Sequence, residues 1–297
     1  MSGDPQLAAI LVNYNAGPDL RAALDSIAVD FAGAPWEGVV VDNASSDGSG
    51  DAARGYGANV TVIRNAANVG FGRGVNQGLA ATSAPLVLII NPDCRLTPGA
   101  TRLMSVELDV HDRCALVGPR ILDPDGTEQG SARGDPDMLT GLFGRTSRLR
   151  RLLPWLPVSK RNVVGEGPDT GSSRVVDWVS GACMLARRNA LARVGGFDDR
   201  YFLYWEDADL CRRLRAHGFE IRYVPTATAI HRVGQSSRTA RAASVRAFHQ
   251  SAYMYYATHV APGALNPRRL LARAILAARC WWKLRSAEID SQLRPRS

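Results

Sequence analysis

The stretch Leu86–Ala100 reads LVLIINPDCRLTPGA, and its first five residues form an apolar run that stops at Asn91, Pro92 and Asp93. A short apolar run that ends in turn-forming residues is typical of a strand buried on both faces. A turn alone explains an aspartate at such a position. Whether Asp93 also has a chemical role depends on what the neighbouring strands bring to it.

Strands of this kind recur through the first half of the chain. Apolar runs also begin at Leu7, Val39 and Val60, and segments such as Pro18–Ala28 carry apolar residues at helical spacing. Continuous apolar strands that alternate with helices predict an α/β fold, in which helices cover both faces of a mostly parallel central sheet.

Three of these four strands end in a polar cluster. The clusters are Asn13-Tyr14-Asn15, Asp42-Asn43 and Asn91-Pro92-Asp93. In parallel sheets, ligands bind beyond the carboxyl ends of the strands. Turn formation explains any one cluster by itself, but three clusters on one edge favour a ligand site there.

The second half of the chain carries a candidate base. After an irregular basic segment, 130–171, the pattern predicts a strand, a helix, a loop, a second helix from about Glu206 and another strand. Glu206, Asp207 and Asp209 stand at the start of that second helix, where acidic side chains suit the helix dipole. The aromatic loop FDDRYFLYWED leads up to them, which favours an apolar-walled cleft in which a carboxylate acts as a base.

Composition limits the partners and the compartment. The formal charge is +8 and comes almost entirely from arginine, since Lys160 and Lys283 are the only lysines. Such a balance suits phosphate or anionic-lipid partners, although an arginine-favouring genome would produce it too. We expect no nucleic-acid partner. The five scattered cysteines show no metal-ligand spacing, and we see neither a signal peptide nor a spanning helix. We therefore expect a cytoplasmic protein in a reducing compartment.

Six motifs in fixed order give a more specific indication. They are ILVNYN, VVVDNASSDGS, NVGFGRGVNQG, LIINPDC, VSGACMLARRNALARVGGFDDRYFLYWEDADLCRRLRAHG and HRVGQS. Together they resemble family-2 glycosyltransferases of the GT-A fold, and more narrowly the rhamnosyltransferase-like branch, over roughly residues 7 to 237. The resemblance implies one GT-A domain (1–240), with a nucleotide-binding half (1–95) and an acceptor half (96–240). Residues 241–297 then form a helical C-terminal extension.

The resemblance also implies roles for individual residues in an inverting sugar transfer. Asp207 matches the general base, and Glu206 would steer the acceptor or orient a loop. Asp42 matches the acid that binds the pyrimidine base of the donor. The full set assigned to donor binding is Asn13, Tyr14, Asn15, Asp42, Asn43, Asn68, Arg73, Asn76 and Asn91. The glycines around Arg73 would let the backbone approach a phosphate.

A divalent metal ion is the cofactor that the resemblance implies. Asn91-Pro92-Asp93 occupies the place of the Asp-X-Asp metal motif, with Asn91 in place of the first acid. Asp93 is then the main carboxylate ligand, and His231 matches a late histidine that completes the site. Oxygen ligands suit Mg²⁺ or Mn²⁺, and a histidine shifts the preference toward Mn²⁺. The loss of one acid predicts weaker metal binding.

Residues 268–285 form an amphipathic helical segment with two tryptophans and several basic residues. Apolar side chains fall in one stripe, and the basic residues lie mainly on the other side. Contact with an anionic membrane is one interpretation, and the basic segment around Trp155 fits it. Packing on the enzyme's own domain or on a partner subunit, as in a homodimer, is the other.

Several functions stay open on the sequence alone. We expect transfer of L-rhamnose from dTDP-rhamnose to a polyprenyl-diphosphate-linked saccharide, in cell-wall or surface-polymer assembly at the inner face of the membrane. A UDP-hexose or UDP-galactofuranose is the alternative donor, and a non-catalytic nucleotide-sugar binding module is the alternative class. A sugar nucleotidyltransferase would need a glycine-rich basic loop after the first strand, where this chain has Asn13-Tyr14-Asn15.

Overall fold

The computed structural model describes residues 4–135, 171–232 and 241–293. Twelve strands are found there, and they are listed in chain order: β1 Leu7–Asn13, β2 Trp36–Asp42, β3 Val60–Arg64, β4 Leu86–Ile90, β5 Cys94–Leu96, β6 Cys114–Leu122, β7 Glu128–Gln129, β8 Ala132–Arg133, β9 Arg174–Val176, β10 Trp178–Val179, β11 Cys183–Arg187 and β12 Glu220–His231. The helices are α1 Asp19–Asp30, α2 Phe71–Ala80, α3 Ala100–Val110, α4 Arg188–Arg193, α5 Glu206–Ala216, α6 Arg241–Tyr255 and α7 Pro267–Leu293.

The central sheet has the order β3-β2-β1-β4-β11-β6-β12-β5. Strands β1 to β4 are parallel to one another, and β6 and β12 run in the same direction, whereas β11 and β5 are antiparallel to their neighbours. The expected α/β fold with a mostly parallel sheet is therefore confirmed. Of the irregular basic segment 130–171, the stretch 136–170, which includes Trp155, lies outside the described residues.

Apolar side chains fill both faces of this sheet. Leu20 and Leu24 of α1 and Met104 of α3 pack on one face. Val75 of α2 and Leu210 of α5 pack on the other. Because the strands are covered twice, their residues read as continuous apolar runs rather than as an alternation.

The register of the parallel strands places their polar ends side by side. Asn13 pairs with Asp42 across β1 and β2, and β4 ends one residue before Asn91. The Asn91 amide donates to the Ala182 carbonyl just before β11, at 2.9 Å. The predicted juxtaposition of the three polar clusters on one edge is thus confirmed.

The C-terminal extension continues as α6, a π-helical turn at Tyr256–Val260 and the long helix α7. Helix α6 lies between α7 and the aromatic loop before α5, with Tyr255 against Trp205 at a ring-centroid distance of 5.3 Å. Over the described ranges, we find no helix with both the length and the apolar character required to cross a bilayer.

The aromatic loop packs closely on the start of α2, where Gly70 contacts Phe202. We therefore expect a larger side chain at Gly70 to destabilise the fold. A Cβ atom at Gly70 would lie 2.5 Å from the Phe202 carbonyl oxygen, and Gly70 has a φ of 93°. Gly126 has a similar φ of 84° but open space around it. We expect Gly70→Ala to lower the free energy of unfolding by about 3 kcal/mol, and Gly126→Ala by about 1 kcal/mol. Urea titration measures both, and equal losses would show that the loop does not press on Gly70.

Candidate active site

The ends of β1 and β2 are joined through one buried amide. The Asn13 Nδ2 atom donates toward Asp42 Oδ1 at 2.7 Å, Ser49 Oγ at 2.9 Å and Ser45 Oγ at 3.0 Å. Asn15, in the left-handed region at φ 52°, accepts from the Ser46 amide at 2.8 Å. These contacts fix the Asp42 carboxylate at the edge of the sheet, while Tyr14 beside it is partly exposed.

A chain of side-chain amides continues this edge past β3. Asn43 Nδ2 donates to Asn68 Oδ1 at 3.2 Å and to the Gly70 carbonyl at 3.1 Å. Asn43 Oδ1 accepts from Asn65 Nδ2 at 2.8 Å, and Asn65 in turn bonds Gln77. The sequence singled out Asn43 and Asn68 but gave no signal for Asn65 or Gln77, which hold them in place.

The glycine-rich motif serves packing in this structure. A Cβ at Gly74 would approach Val12 at 2.9 Å, and one at Gly78 would approach Ile10 at 2.5 Å. These glycines bring α2 close to β1, and the expectation that the motif lets the backbone approach a phosphate stays a prediction. Arg73 on the same helix is half-exposed, with its Nε 3.6 Å from Asp199 Oδ2.

The structure gives Asn76 a role that the sequence did not predict. Its Nδ2 donates to the Phe197 carbonyl and to Asp199 Oδ1, both at 2.8 Å. Its Oδ1 accepts from the Phe197 amide at 2.9 Å. The side chain therefore fastens α2 to the loop before α5, and its assignment to the donor site stays a prediction.

Asp93 and His231 converge beyond β4. Asp93 Oδ1 lies 3.1 Å from His231 Nε2, and the Asn91 Nδ2 atom lies 3.5 Å from the same nitrogen. His231 Nδ1 contacts Gln129 Oε1 at 3.0 Å, and Gln129 also donates to the His231 carbonyl at 2.9 Å. Gln129, which the sequence analysis missed, thereby holds the ring so that Nε2 points at Asp93.

Asp93 Oδ1 and His231 Nε2 are in direct contact at 3.1 Å. They are the oxygen and nitrogen donors that Mg²⁺ or Mn²⁺ would take. A metal-bound histidine commonly has its other nitrogen hydrogen-bonded, as Gln129 provides here. In the described part of the chain, no group of three or more His, Cys, Asp or Glu residues is placed to hold a metal.

Two neighbouring carboxyl groups, those of Glu206 and Asp207, begin α5. Asp207 Oδ2 accepts from the Gly181 amide at 2.9 Å, and its Oδ1 accepts from the Ala208 amide at 2.8 Å. The residues just before the helix, Tyr204 and Trp205, have φ values of 69° and 72°. Backbone in this left-handed region is costly for large side chains, and such strain is common at active sites.

Burial raises the pKa of both carboxyl groups, but their hydrogen bonds differ. Burial, reinforced by the charge of Asp207, raises the pKa of Glu206 to about 8. Glu206 Oε2 is buried and has no hydrogen-bond partner among the described residues. Burial also raises the pKa of Asp207, but backbone hydrogen bonds from Gly181 and Ala208 oppose the rise. At neutral pH, Glu206 is therefore protonated, and Asp207 is the better candidate for a base.

The turn at Gly181–Ala182 connects this pair to the Asp93 site. Its Gly181 amide binds Asp207, while its Ala182 carbonyl accepts from the Asn91 amide. The candidate base and the candidate metal ligands are thus positioned by the same short piece of backbone.

The next turn of α5 is held by the C-terminal extension. Asp209, which is 1% exposed, binds His259 Nε2 through Oδ1 at 2.6 Å and Arg213 Nε through Oδ2 at 2.7 Å. The sequence indicated only that an acid at this place suits a helix start. Its partner His259 is 50 residues away in the chain, so no local pattern could have identified it.

Comparison with known proteins agrees with this geometry. Residues 8–157 match Glycosyl transferase family 2, and residues 168–254 match Glycosyltransferase like family 2. An N-acetylglucosaminyl-diphospho-decaprenol L-rhamnosyltransferase of Mycobacterium tuberculosis is 32% identical over 97% of this chain and 96% of its own. The chain belongs to glycosyl transferase family 2.

One further sequence relative and two solved structures are also similar to this glycosyltransferase, and the solved structures share its fold. Rhamnosyltransferase WbbL of Escherichia coli is 42% identical over 29% of this chain and 33% of its own length. A Pyrobaculum calidifontis mannosyltransferase, solved with GDP-Man and Mn²⁺, aligns with a TM-score of 0.58 at 17% identity over 99% of this chain and 82% of that chain. GalNAc-T7, solved with UDP, GalNAc and Mn²⁺, gives a TM-score of 0.60 at 13% identity over 97% and 58% of the two chains.

These findings confirm a GT-A glycosyltransferase of the rhamnosyltransferase-like branch. The individual roles expected from the resemblance stay predictions. The structure brings Asp42 beside Asn13, Asp93 beside His231, and Glu206 beside Asp207. Protein contacts occupy the side-chain amides of Asn13 and Asn43 as well as that of Asn76.

The raised pKa of Glu206 makes folding stability depend on pH. The folded state keeps this proton up to about pH 8, whereas the unfolded chain releases it near the usual value of 4.5. Stability from this group is therefore lost as pH rises through that window. Glu206→Gln removes this titration. The melting temperature of the variant minus that of wild type should therefore increase between pH 5 and pH 8, as calorimetry at several pH values in this range can measure.

The matched control for that experiment is Asp125→Asn, since Asp125 lies on an exposed turn. Its melting temperature should keep a near-constant offset from wild type over the same pH range. A constant offset for Glu206→Gln as well would show that Glu206 is ionised in the folded protein.

Proposed function

We propose that this glycosyltransferase moves L-rhamnose from dTDP-L-rhamnose, with inversion at the anomeric carbon, onto a saccharide carried by polyprenyl diphosphate. The observation that carries the reaction type is the Glu206 and Asp207 pair, with one carboxyl group neutral and its neighbour available as a base. The observation that supports the substrates is the near full-length similarity to the mycobacterial rhamnosyltransferase, whose name gives a diphospho-decaprenol acceptor.

In this proposal the donor lies along the edge formed by the ends of β1, β2 and β4. The Asp42 carboxylate accepts a hydrogen bond from the ring N–H of a pyrimidine base. Asn43 and Asn68, which bond each other, would face the nucleoside, and Arg73 in the first turn of α2 would meet a phosphate. The remaining donor-site residues are Asn13, Tyr14, Asn15, Asn76 and Asn91. Thymine and uracil share the ring N–H, so Asp42 accepts either base, and the similarity to rhamnosyltransferases is what favours dTDP.

Asp207 is the proposed general base. An inverting transfer needs a single base that takes the proton of the acceptor hydroxyl as its oxygen attacks the sugar from the side opposite the leaving group. Backbone hydrogen bonds hold the Asp207 carboxylate in one orientation. Neutral Glu206 keeps a second negative charge away from the incoming hydroxyl and donates a hydrogen bond instead.

Asp93 and His231 would hold a divalent cation, Mn²⁺ or Mg²⁺, with Gln129 orienting the histidine. Such an ion supplies charge neutralisation for the diphosphate leaving group. Asn91 contributes a neutral amide where an acid would add charge, so Asp93 and His231 alone would hold the ion weakly. Solved structures of the mannosyltransferase and GalNAc-T7 contain Mn²⁺, which supports the proposal.

The proposed acceptor also suggests a location. A polyprenyl chain keeps its saccharide at a membrane, and cytoplasmic dTDP-sugars are available on the inner face. We therefore place the enzyme at the inner surface of the cell membrane, in cell-wall or surface-polysaccharide assembly.

Loss of the base should separate catalysis from donor binding. Asp207→Asn keeps the shape of the side chain but cannot accept the proton, so kcat should fall about 100-fold to 10,000-fold. Thermal stabilisation by dTDP should stay at the wild-type level, because the donor edge is untouched. Turnover is measured as rhamnose transfer to a polyprenyl-diphosphate-linked N-acetylglucosamine. A variant that keeps wild-type turnover would place the base elsewhere.

Metal binding is tested by the nucleotide-induced thermal shift. We expect Mn²⁺ to enlarge the shift produced by dTDP, because a cation held by Asp93 and His231 would also attract the negatively charged diphosphate. Asp93→Asn should remove the Mn²⁺-dependent part of the shift, and Asp125→Asn on an exposed turn should keep it. If Mn²⁺ leaves the shift unchanged in wild type, the cation site is wrong.

A further inference from the structure

The net positive charge of this chain comes from its C-terminal extension. Residues 1–240 contain 26 Lys and Arg and 26 Asp and Glu, so their formal charges cancel. Residues 241–297 contain ten basic and two acidic residues, which accounts for the full +8. The first acidic residue of the extension is Glu288. A formally neutral catalytic domain is therefore joined to a strongly cationic pair of helices.

Helix α7 packs on the protein with its basic side. Ala272 is buried, and Arg279 and Lys283 on the same side are partly covered. Burial lowers the pKa of both Arg279 and Lys283, and for Lys283 the charge of Arg279 adds to the effect. The apolar stripe predicted from the sequence therefore does not pack on the enzyme's own domain, in contrast to one of the two interpretations.

The opposite side of α7 presents large apolar side chains to solvent. Leu270 is 73% exposed, Leu271 55%, Trp281 61% and Trp282 54%. Contiguous exposure of this kind on a folded protein usually marks a surface that another body covers. We call these four residues the outward face of α7.

Cationic side chains border the outward face. Arg268, Arg273 and Arg285 are exposed, and the Arg285 guanidinium lies 5.7 Å from the centroid of the Trp281 ring. Tryptophan and leucine on one side of a helix, with arginines at the margin, match the composition of helices that lie in the headgroup region of anionic bilayers.

The charge of the extension also distinguishes between partners. In a symmetric dimer the same face meets itself, so two extensions of charge +8 would approach each other. An anionic bilayer neutralises that charge instead. Charge complementarity thus favours a lipid surface over a second copy of this chain.

The outward face is connected to the catalytic pair through one helix. Helix α6 packs against α7 on one side. On the other side, Phe248 contacts Tyr204 at a ring-centroid distance of 5.8 Å, and Ser251 Oγ donates to the Leu203 carbonyl at 3.0 Å. These are residues of the loop that leads directly into Glu206.

We propose that the outward face of α7 docks the enzyme on an anionic lipid bilayer, with Leu270, Leu271, Trp281 and Trp282 inserted at headgroup depth and the bordering arginines on lipid phosphates. The inference deepens the proposed function, since a lipid-linked acceptor gives such docking its purpose, but the docking itself needs neither donor nor acceptor.

Vesicle co-sedimentation of the full chain tests the proposal. Wild type should bind vesicles of phosphatidylcholine with phosphatidylglycerol, bind pure phosphatidylcholine far less, and lose binding at high salt. The double variant Leu270→Glu with Trp281→Glu should weaken binding at least about ten-fold. Both side chains are mostly exposed, so the variant should fold as wild type does. Val110→Glu, at a 68% exposed valine on α3, is the matched control and should bind normally.

Two results would overturn the docking surface. The first is a lack of binding of wild type to anionic vesicles, or equal binding by the double variant and wild type. The second is a wild-type dimer in solution that the double variant does not form, with vesicle binding unchanged. That second result would make the outward face an interface between copies of the chain. Rhamnose transfer to a short, water-soluble acceptor reports on the proposed function separately, and should be equal in wild type and double variant.

Discussion

Burial of a carboxyl group at the start of α5 is the constraint on which the active site depends. Glu206 is 5% exposed and lies next to Asp207 and close to Asp209. Three ionised carboxylates cannot share that space without strong repulsion. The structure meets the constraint with three different environments: Asp209 has His259 and Arg213, Asp207 has two backbone amides, and Glu206 keeps its proton. Asp207 is thereby oriented by backbone amides and stays partly open to a substrate.

The arrangement of the rest of the site follows from this pair. The Gly181–Ala182 turn fixes Asp207 on one side and the end of β4 on the other, so the base keeps a defined position relative to Asp93 and His231. The strained Tyr204 and Trp205 backbone is held down by α6, and α5 is tied to the extension through His259. The extension is therefore part of the support of the catalytic helix as well as the carrier of the cationic charge.

Local patterns in the sequence were sufficient for the frame of this structure. The apolar runs predicted the strands, and the common direction of β1, β2 and β4 put Asn13, Asp42 and Asp93 on one edge. The start of α5 at Glu206 was predicted as well. Gln129 and His259 were missed, because their importance comes from partners about 100 and 50 residues away. The amphipathic period of α7 identified an apolar face but could not show whether that face turns toward the protein or toward solvent. A helix with one apolar and one basic side can pack through either side. Glycine roles likewise depend on neighbours such as Ile10 that only the fold brings close.

The most direct test of this account is the pH dependence of kcat/KM for rhamnose transfer in wild type and in Glu206→Gln. If neutral Glu206 is required beside ionised Asp207, wild-type kcat/KM should fall above about pH 8, where Glu206 loses its proton. The glutamine variant has no such proton, so its kcat/KM should stay level over the same range. An alkaline fall of equal size in both enzymes, or a level profile in wild type, would contradict the assignment of roles to the two carboxyl groups.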